Sequence, residues 1–423
     1  MRDGGRLAAA IGVLEDMRDR HKPAHLALKS WGDSARYAGS KDRAFVSGLV
    51  LDALRRRRSG SWRIGGEGAR AEVLATLGLD WYWPIDRLAE ACADLHGPGN
   101  LTEAEREGLA SPRDLFGAPQ AIQGDYPDWA DPHFARVYGG ERGAVLQGHV
   151  GRAPVDLRIN ILKTSIEAGL KALAPLEASA PGLMPEAARI APPLAAERAP
   201  SIETVPEFGK GWFEVQDLGS QIAAACAGDV VGQRVLDYCA GGGGKTLALA
   251  AAMRNTGQLY AYDTDARRLA DTVRRGERAG AANLEVRSPI VKDVLADLTS
   301  QMDLVFVDAP CTGSGTWRRH PDAKWRLSEK QLAIRMGEQD KVLDAAATYL
   351  KPGGRIVYVT CSLFAEENED RVKAFLARTP GFDQGRITLA AAQPYLTKEG
   401  FLRLAPDTSG TDGFFAAILV RRA

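Results

Sequence analysis

From about residue 216 to the C-terminus the chain alternates short apolar runs with amphipathic stretches. The runs Arg234–Tyr238, Gln258–Tyr262, Leu284–Arg287, Asp303–Val307 and Arg355–Thr360 are the length of strands and predict five of them. Between the last two, Leu332, Met336, Leu343, Ala346 and Leu350 share one face of a long helix beginning near Ser328, which Pro352-Gly353-Gly354 stops. In EENEDRVKAFLAR the residues Val372, Phe375 and Leu376 coincide on a second helical face, and DGFFAAILV, Asp412 to Val420, predicts a final strand paired antiparallel. Strand–helix alternation of this kind predicts an α/β fold with a doubly wound, mostly parallel sheet. Ligands of such sheets bind beyond the carboxyl ends of the strands, where the connections diverge.

The N-terminal third reads differently. In SKDRAFVSGLVLDALRRRRS the apolar residues Val46, Leu49, Val50, Ala53 and Leu54 recur at helical spacing; Ser40 is the expected N-cap, and Arg55 to Arg58 fall in the last turns, where they complement the helix dipole. Tyr126 to Gly139, YPDWADPHFARVYG, is punctuated by Pro and Asp and reads as a linker. Beyond it, VDLRINILK alternates like a strand, and Pro181 to Ser201 is rich in Pro and Ala. The expected division is an all-helical domain over 1–137, a small mixed α/β domain over 138–215 and the doubly wound domain over 216–423.

A length of 423 residues agrees with more than one hydrophobic core. Lys+Arg and Asp+Glu balance at 54 each, so any nucleic-acid contact must come from local patches. The cysteines at 92, 226, 239, 311 and 361 are scattered, with no C-x-x-C pair, which argues against a zinc site or a disulfide framework and suits a reducing cytosol. No apolar run approaches the ~20 residues needed to span a bilayer. The expectation is a cytoplasmic monomer without metal or membrane attachment.

The candidate chemistry lies at the predicted strand ends. VLDYCAGGGGKT, Val235 to Thr246, ends like a phosphate-binding G-x-x-x-x-G-K-[ST] loop, but Cys239 stands where its first glycine belongs. A glycine-rich turn opening a helix also admits other ligands close to the backbone. Asp263 ends the next strand, where an acid commonly binds a ribose hydroxyl, and this favours an adenosine-containing cofactor. The fourth strand runs into Asp308-Ala309-Pro310-Cys311 and the fifth into Cys361-Ser362, so two thiols and a carboxylate aim at one crevice. A lone core cysteine is usually an inert apolar residue; two at neighbouring strand ends are not explained that way. TWRRHPDAKWR, with Arg318, Arg319 and His320, has the aromatic and basic character that suits a nucleic-acid base and its phosphates.

Through CAGGGGK, Asp263, DAPCTGSGTWRRHPD, TCSLFAEEN and DGFF, residues 216–423 resemble the S-adenosylmethionine-dependent RNA cytosine-5 methyltransferases of the Nop/Sun group. NILK and FEVQDLGSQ resemble the segments that precede their catalytic fold, and RYAGSKDRA with its helix resembles the NusB-like RNA-binding domain of the bacterial rRNA methyltransferase B type. The resemblance implies a Rossmann-like class I methyltransferase fold acting on RNA, most simply rRNA. It assigns the nucleophile to Cys361 and gives Cys311 a part in proton removal or enzyme release. It has Asp308 bind the cytosine ring; separately, Lys245 and the nearby Arg pair are expected to raise the thiolate fraction. It places S-adenosylmethionine against Cys239, Ala240, Gly241, Gly242, Gly243, Gly244, Lys245, Asp263 and Asp308. Two positions depart from the family pattern. Gly241 and Gly242 replace Ala-Pro in the loop, and Ile290 stands where relatives carry an acid beside the adenine, leaving Asp293 as the nearest carboxylate. A P-loop NTPase leaves Asp263 and both cysteines unexplained. A catalytically silent RNA-binding or ribosome-assembly factor is the other alternative.

Overall fold

The apolar runs of the C-terminal half become the centre of an eight-stranded sheet. The structure, a computed structural model, describes residues 1–197 and 200–423. The strands are β1 (Val155–Ile159), β2 (Ala187–Ile190), β3 (Phe213–Val215), β4 (Arg234–Asp237), β5 (Gln258–Tyr262), β6 (Leu284–Arg287), β7 (Met302–Asp308), β8 (Leu350–Thr360), β9 (Phe382–Gln384), β10 (Leu402–Leu404) and β11 (Phe414–Arg421). The large sheet runs β10-β11-β8-β7-β4-β5-β6, with β9 on the same edge of β11 as β10. Strands β4 to β8 are parallel, and β11 lies antiparallel to β8, as its sequence suggested. The order reverses at β4, so the loops after β4 and β7 diverge there and open a crevice.

Alternation along each strand explains the two layers. Val235, Leu259, Leu304, Phe306, Val357 and Val359 pack with Ile222 and Leu249 of the helices Leu218–Ala225 and Gly244–Ala252. Leu236, Val305, Val307, Ile356 and Tyr358 pack on the other face with Leu343 and Phe375 of the helices Glu329–Tyr349 and Glu369–Arg378. Each fully buried side chain of this size contributes roughly 1.5–3 kcal/mol. The long helix ends at Tyr349, just before the predicted stop at Pro352-Gly353-Gly354, and that segment forms a bulge inside β8. Leu350 pairs with Met302 and Arg355 with Leu304, so residues 351–354 loop out opposite Asp303 alone.

Contacts cluster the chain into two compact units. One comprises 154–191, 200–316 and 329–423, and therefore joins the three-stranded sheet β2-β1-β3 to the large one. The side-chain amide of Asn160 donates to the Ala279 carbonyl, and the Asp156 carboxylate accepts from the Leu218 N–H, each within 2.9 Å. The other unit comprises 1–153, the described part of 192–199, and 317–328. Its core includes Leu7, Leu14, Val46, Leu49, Val50, Ala53, Leu74 and Leu88. Three readings of this region are corrected. Gly39, not Ser40, takes the N-cap position of the helix Ser40–Arg55, its N–H held by the Asp42 carboxylate at 3.0 Å. The arginine run spans two helices, with Arg55 ending the first and Arg57 starting the next. Tyr126 to Gly139 is no linker, since Tyr126 and Phe134 are fully buried.

Residues 317–328 pack with the helical unit. Trp317 is buried edge-on against Phe134, Lys324 donates to the Arg55 carbonyl at 2.9 Å, and the Trp325 indole N–H donates to the Leu54 carbonyl at 2.8 Å. Arg318 is 6% exposed, its carbonyl accepts from the Arg55 guanidinium, and it lines an open hollow with Arg55, Arg152 and Arg319. Arg319 is half-buried and only His320 of the three is exposed. Among the described residues no helix is long and apolar enough to cross a membrane, and no group of three His, Cys, Asp or Glu could hold a metal ion.

Candidate active site

The loop leaving β4 owes its shape to its glycines and to the helix Ala266–Ala279. Gly241 (φ +53°) and Gly243 (φ +84°) sit in the left-handed region that residues with a Cβ avoid. The Gly241 N–H donates to Asp263 Oδ2 at 2.8 Å, and the Ala240 N–H donates to the Tyr262 carbonyl at 2.9 Å. From the helix, the Thr272 hydroxyl donates to the Gly241 carbonyl at 2.8 Å, and Arg275 donates to the Gly242 carbonyl while pairing with buried Glu214 at 2.8 Å. Arg268 crowds the same turn, its guanidinium 2.4 Å from where a Cβ on Gly241 would stand. Sequence reasoning missed this clamp. Its signal was present, because positions 268, 272 and 275 share one helical face.

Asp263 is thus engaged through both oxygens by backbone N–H groups, those of Gly241 and Asp265. Each oxygen retains a lone pair, so a ribose hydroxyl fits beside these bonds. Asp237, at the end of β4, is fully buried. One oxygen accepts from the Thr246 hydroxyl at 2.6 Å and the other has no partner in the protein. Burial pushes its carboxyl up to about 7, with Asp308 and Asp263 adding like charge. A cationic donor entering over the loop would satisfy that oxygen. These features, the glycine cradle, the Asp263 carboxylate and the unpaired Asp237 oxygen, fit the amino and ribose groups of S-adenosylmethionine.

At the next strand ends the predicted chemistry converges. Lys245 Nζ lies 2.7 Å from Asp308 Oδ2 and 5.1 Å from the centre of the Phe414 ring. Burial alone would lower the Lys245 ammonium, but the Asp308 carboxylate beside it outweighs that and leaves it raised, with the Cys361 sulfur adding to the effect. Cys311 and Cys361 bring their sulfurs within 3.4 Å of each other, because β7 and β8 are adjacent and parallel. The hydrogen bond with Cys361, burial and the nearby Glu367 hold the Cys311 thiol well above its usual range. Cys239 is different: burial, then the three carboxylates around it, push its thiol up, and this is the setting of an inert cysteine. Ile290 is 83% exposed, and Asp293 is also exposed, on the connection after β6.

Comparison with known proteins gives a consistent picture. The family model described as 16S rRNA methyltransferase RsmB/F matches residues 229–420. The ribosomal RNA small subunit methyltransferase B of Shewanella oneidensis is 30% identical over 346 residues, covering 80% of this chain and 77% of that protein. The crystal structure of PH0851 superimposes with a TM-score of 0.74 at 24% identity, across 99% of both chains. NSun6 from Pyrococcus horikoshii, solved with SFG, superimposes with a TM-score of 0.61 at 21% identity over 70% of this chain and 98% of that one. The two solved structures share the fold with this chain.

Proposed function

The chain belongs to the RsmB/F family of rRNA methyltransferases, and from that membership we propose that it methylates carbon 5 of a cytosine in ribosomal RNA through a covalent bond to Cys361. S-adenosylmethionine is the methyl donor of this family, and when bound it supplies an electrophilic methyl group on a sulfonium. The observation that carries the finer reading is the pair of thiols 3.4 Å apart, one strand from the Lys245–Asp308 ion pair.

Carbon 5 of cytosine is a poor nucleophile until a thiolate adds to carbon 6. Cys361 makes that bond, and the ring electrons it displaces turn carbon 5 into an enamine-like centre able to attack the methyl group. A free thiol, with a pKa of about 8.5, is only a few per cent ionised at neutral pH. The Lys245 ammonium, 2.7 Å from Asp308, orients that carboxylate to accept from the protonated ring nitrogen or the exocyclic amine. After methyl transfer, which leaves the donor as S-adenosylhomocysteine, carbon 5 gives up its hydrogen as a proton to solvent, and Cys311 takes part in that removal as a proton relay. The carbon 6–sulfur bond then breaks and Cys361 leaves. Overall, one C–H bond becomes a C–CH3 bond and one proton is released. The target base must be drawn out of its stack to reach such a crevice.

The test is methyl transfer to rRNA in the cytoplasmic fraction of a deletion strain, with bisulfite mapping of the product and the variants Cys361→Ser and Cys311→Ala. Cys361→Ser should yield no 5-methylcytosine, and Cys311→Ala should accumulate a protein–RNA adduct that survives denaturation. Full methylation by Cys361→Ser would overturn the covalent reading. Normal ribosome assembly with that variant, despite lost methylation, would favour the assembly-factor alternative.

A further inference from the structure

Glu367 is fully buried between the two thiol loops, in a place the reaction above does not use. One of its oxygens accepts from the Thr312 N–H at 2.8 Å and from the Gln339 amide at 3.0 Å; the other accepts from the hydroxyls of Thr312 and Ser362. Thr312 follows Cys311 and Ser362 follows Cys361, so one carboxylate fastens both cysteine-bearing loops. The rest of the junction is neutral: the Gly315 N–H donates to the Cys361 carbonyl at 2.9 Å, and Ser314 and Ser362 approach to 3.2 Å. Gln339 also donates to the Pro310 carbonyl at 2.9 Å, which extends the grip to the residue before Cys311. The backbone of Glu367 is itself held, its carbonyl accepting from the Tyr358 hydroxyl at 2.7 Å. A buried carboxylate with four donors from three residues is costly to desolvate and is retained where geometry must be fixed.

We propose that Glu367 is a positioning residue: it clamps the Cys311 loop to the Cys361 loop and sets the spacing at which two sulfurs can serve one pyrimidine ring. The proposal rests on the covalent reading for its benefit to catalysis, but the clamp can be measured without RNA. Burial raises the Glu367 carboxyl, and its charge is one of the influences that hold the Cys311 thiol up.

The experiment compares the wild type with Glu367→Ala and Glu367→Gln by two readouts. In the first, the azo oxidant diamide links Cys311 to Cys361: the thiols lose two protons and two electrons, diamide is reduced to its hydrazine, and peptide mapping measures the rate. In the second, methyl transfer is resolved into kcat and KM, beside the affinity for S-adenosylhomocysteine. Displacing a reacting group by an ångström can cost ~100-fold, so kcat should fall by about that factor in Glu367→Ala. Cross-linking should slow at least severalfold while S-adenosylhomocysteine affinity holds. Glu367→Gln keeps the size and half the acceptors, and it should recover part of both losses; if the Ala variant does not fold, the Gln variant carries the test. Wild-type cross-linking and kcat in these variants would overturn the proposal, as would a loss of kcat matched by an equal loss of cofactor affinity. Slowed cross-linking with methylation intact in Cys361→Ser would sink the covalent reading and leave the clamp standing.

Discussion

Replacing Gly243 by Ala tests whether the loop after β4 is held in a conformation only glycine accepts. At φ +84° a Cβ costs about 1–2 kcal/mol. The added carbon would also stand 2.9 Å from the Thr272 hydroxyl and 3.1 Å from the Thr272 Cα, where a backbone must yield. Pushing the helix aside by a few tenths of an ångström costs about 1 kcal/mol more, at the low end of overpacking penalties. The stiffer unordered chain returns about 0.4–1 kcal/mol, leaving roughly 1–2.5 kcal/mol net. The loop can escape most of this strain by abandoning the Thr272–Gly241 hydrogen bond. The loss should then appear as weaker cofactor binding, about 5- to 60-fold at 1.4 kcal/mol per decade. Calorimetric titration with S-adenosylhomocysteine measures it, and urea unfolding measures any part that falls on global stability. An affinity within twofold of wild type together with an unchanged unfolding midpoint would refute the reasoning.

Arg275→Met removes the donor to the Gly242 carbonyl but leaves Arg278 to pair with Glu214, so S-adenosylhomocysteine should bind about tenfold more weakly, by titration, without loss of fold. Lys245→Met deletes the cation beside Asp308 and Cys361. Its kcat in single-turnover methyl transfer should drop ~100-fold or more, as when a preorganised charge is removed, and a fall below tenfold would argue against a catalytic part for Lys245. In the helical unit, burial pushes the Glu72 carboxyl up to about 7 despite its pairing with Arg18 and Arg57. The folded state therefore holds a proton that the unfolded chain releases near 4.5, and stability should decline as pH rises through that window. Unfolding by urea at pH 5 and pH 8 should reveal the decline, and Glu72→Gln should flatten it.

Of the parallel strands, β4, β5, β7 and β8 were legible because their central residues are buried and read as apolar runs, whereas the edge strand β6 has no buried residue. Cys311, Cys361, Asp308 and Lys245 were legible because each ends or follows such a strand. Glu367 was not, although it stands in the quoted TCSLFAEEN. Its importance comes from donors fifty-five and twenty-eight positions away at Thr312 and Gln339, which no local pattern reveals. The packing of the TWRRHPDAKWR stretch was also hidden from its sequence. Its composition matches an RNA contact, yet Trp317, Arg318 and Lys324 are buried in the helical unit, and burial is decided by distant partners rather than by local character. The Pro-Gly-Gly signal was rightly read as following the helix end, but not as the bulge that it forms in β8.

That buried stretch bears on how such an enzyme can be taken apart. A truncated chain beginning at residue 154 would carry Trp317, Lys324 and Trp325 with the aromatic ring and carbonyls that receive them left behind. The complementary fragment 1–153 would show an unfilled trough where they had lain, and both pieces should aggregate on expression. A chimaera exchanging the helical unit between relatives must therefore transplant the twelve-residue insert at 317–328 as well as the amino-terminal portion.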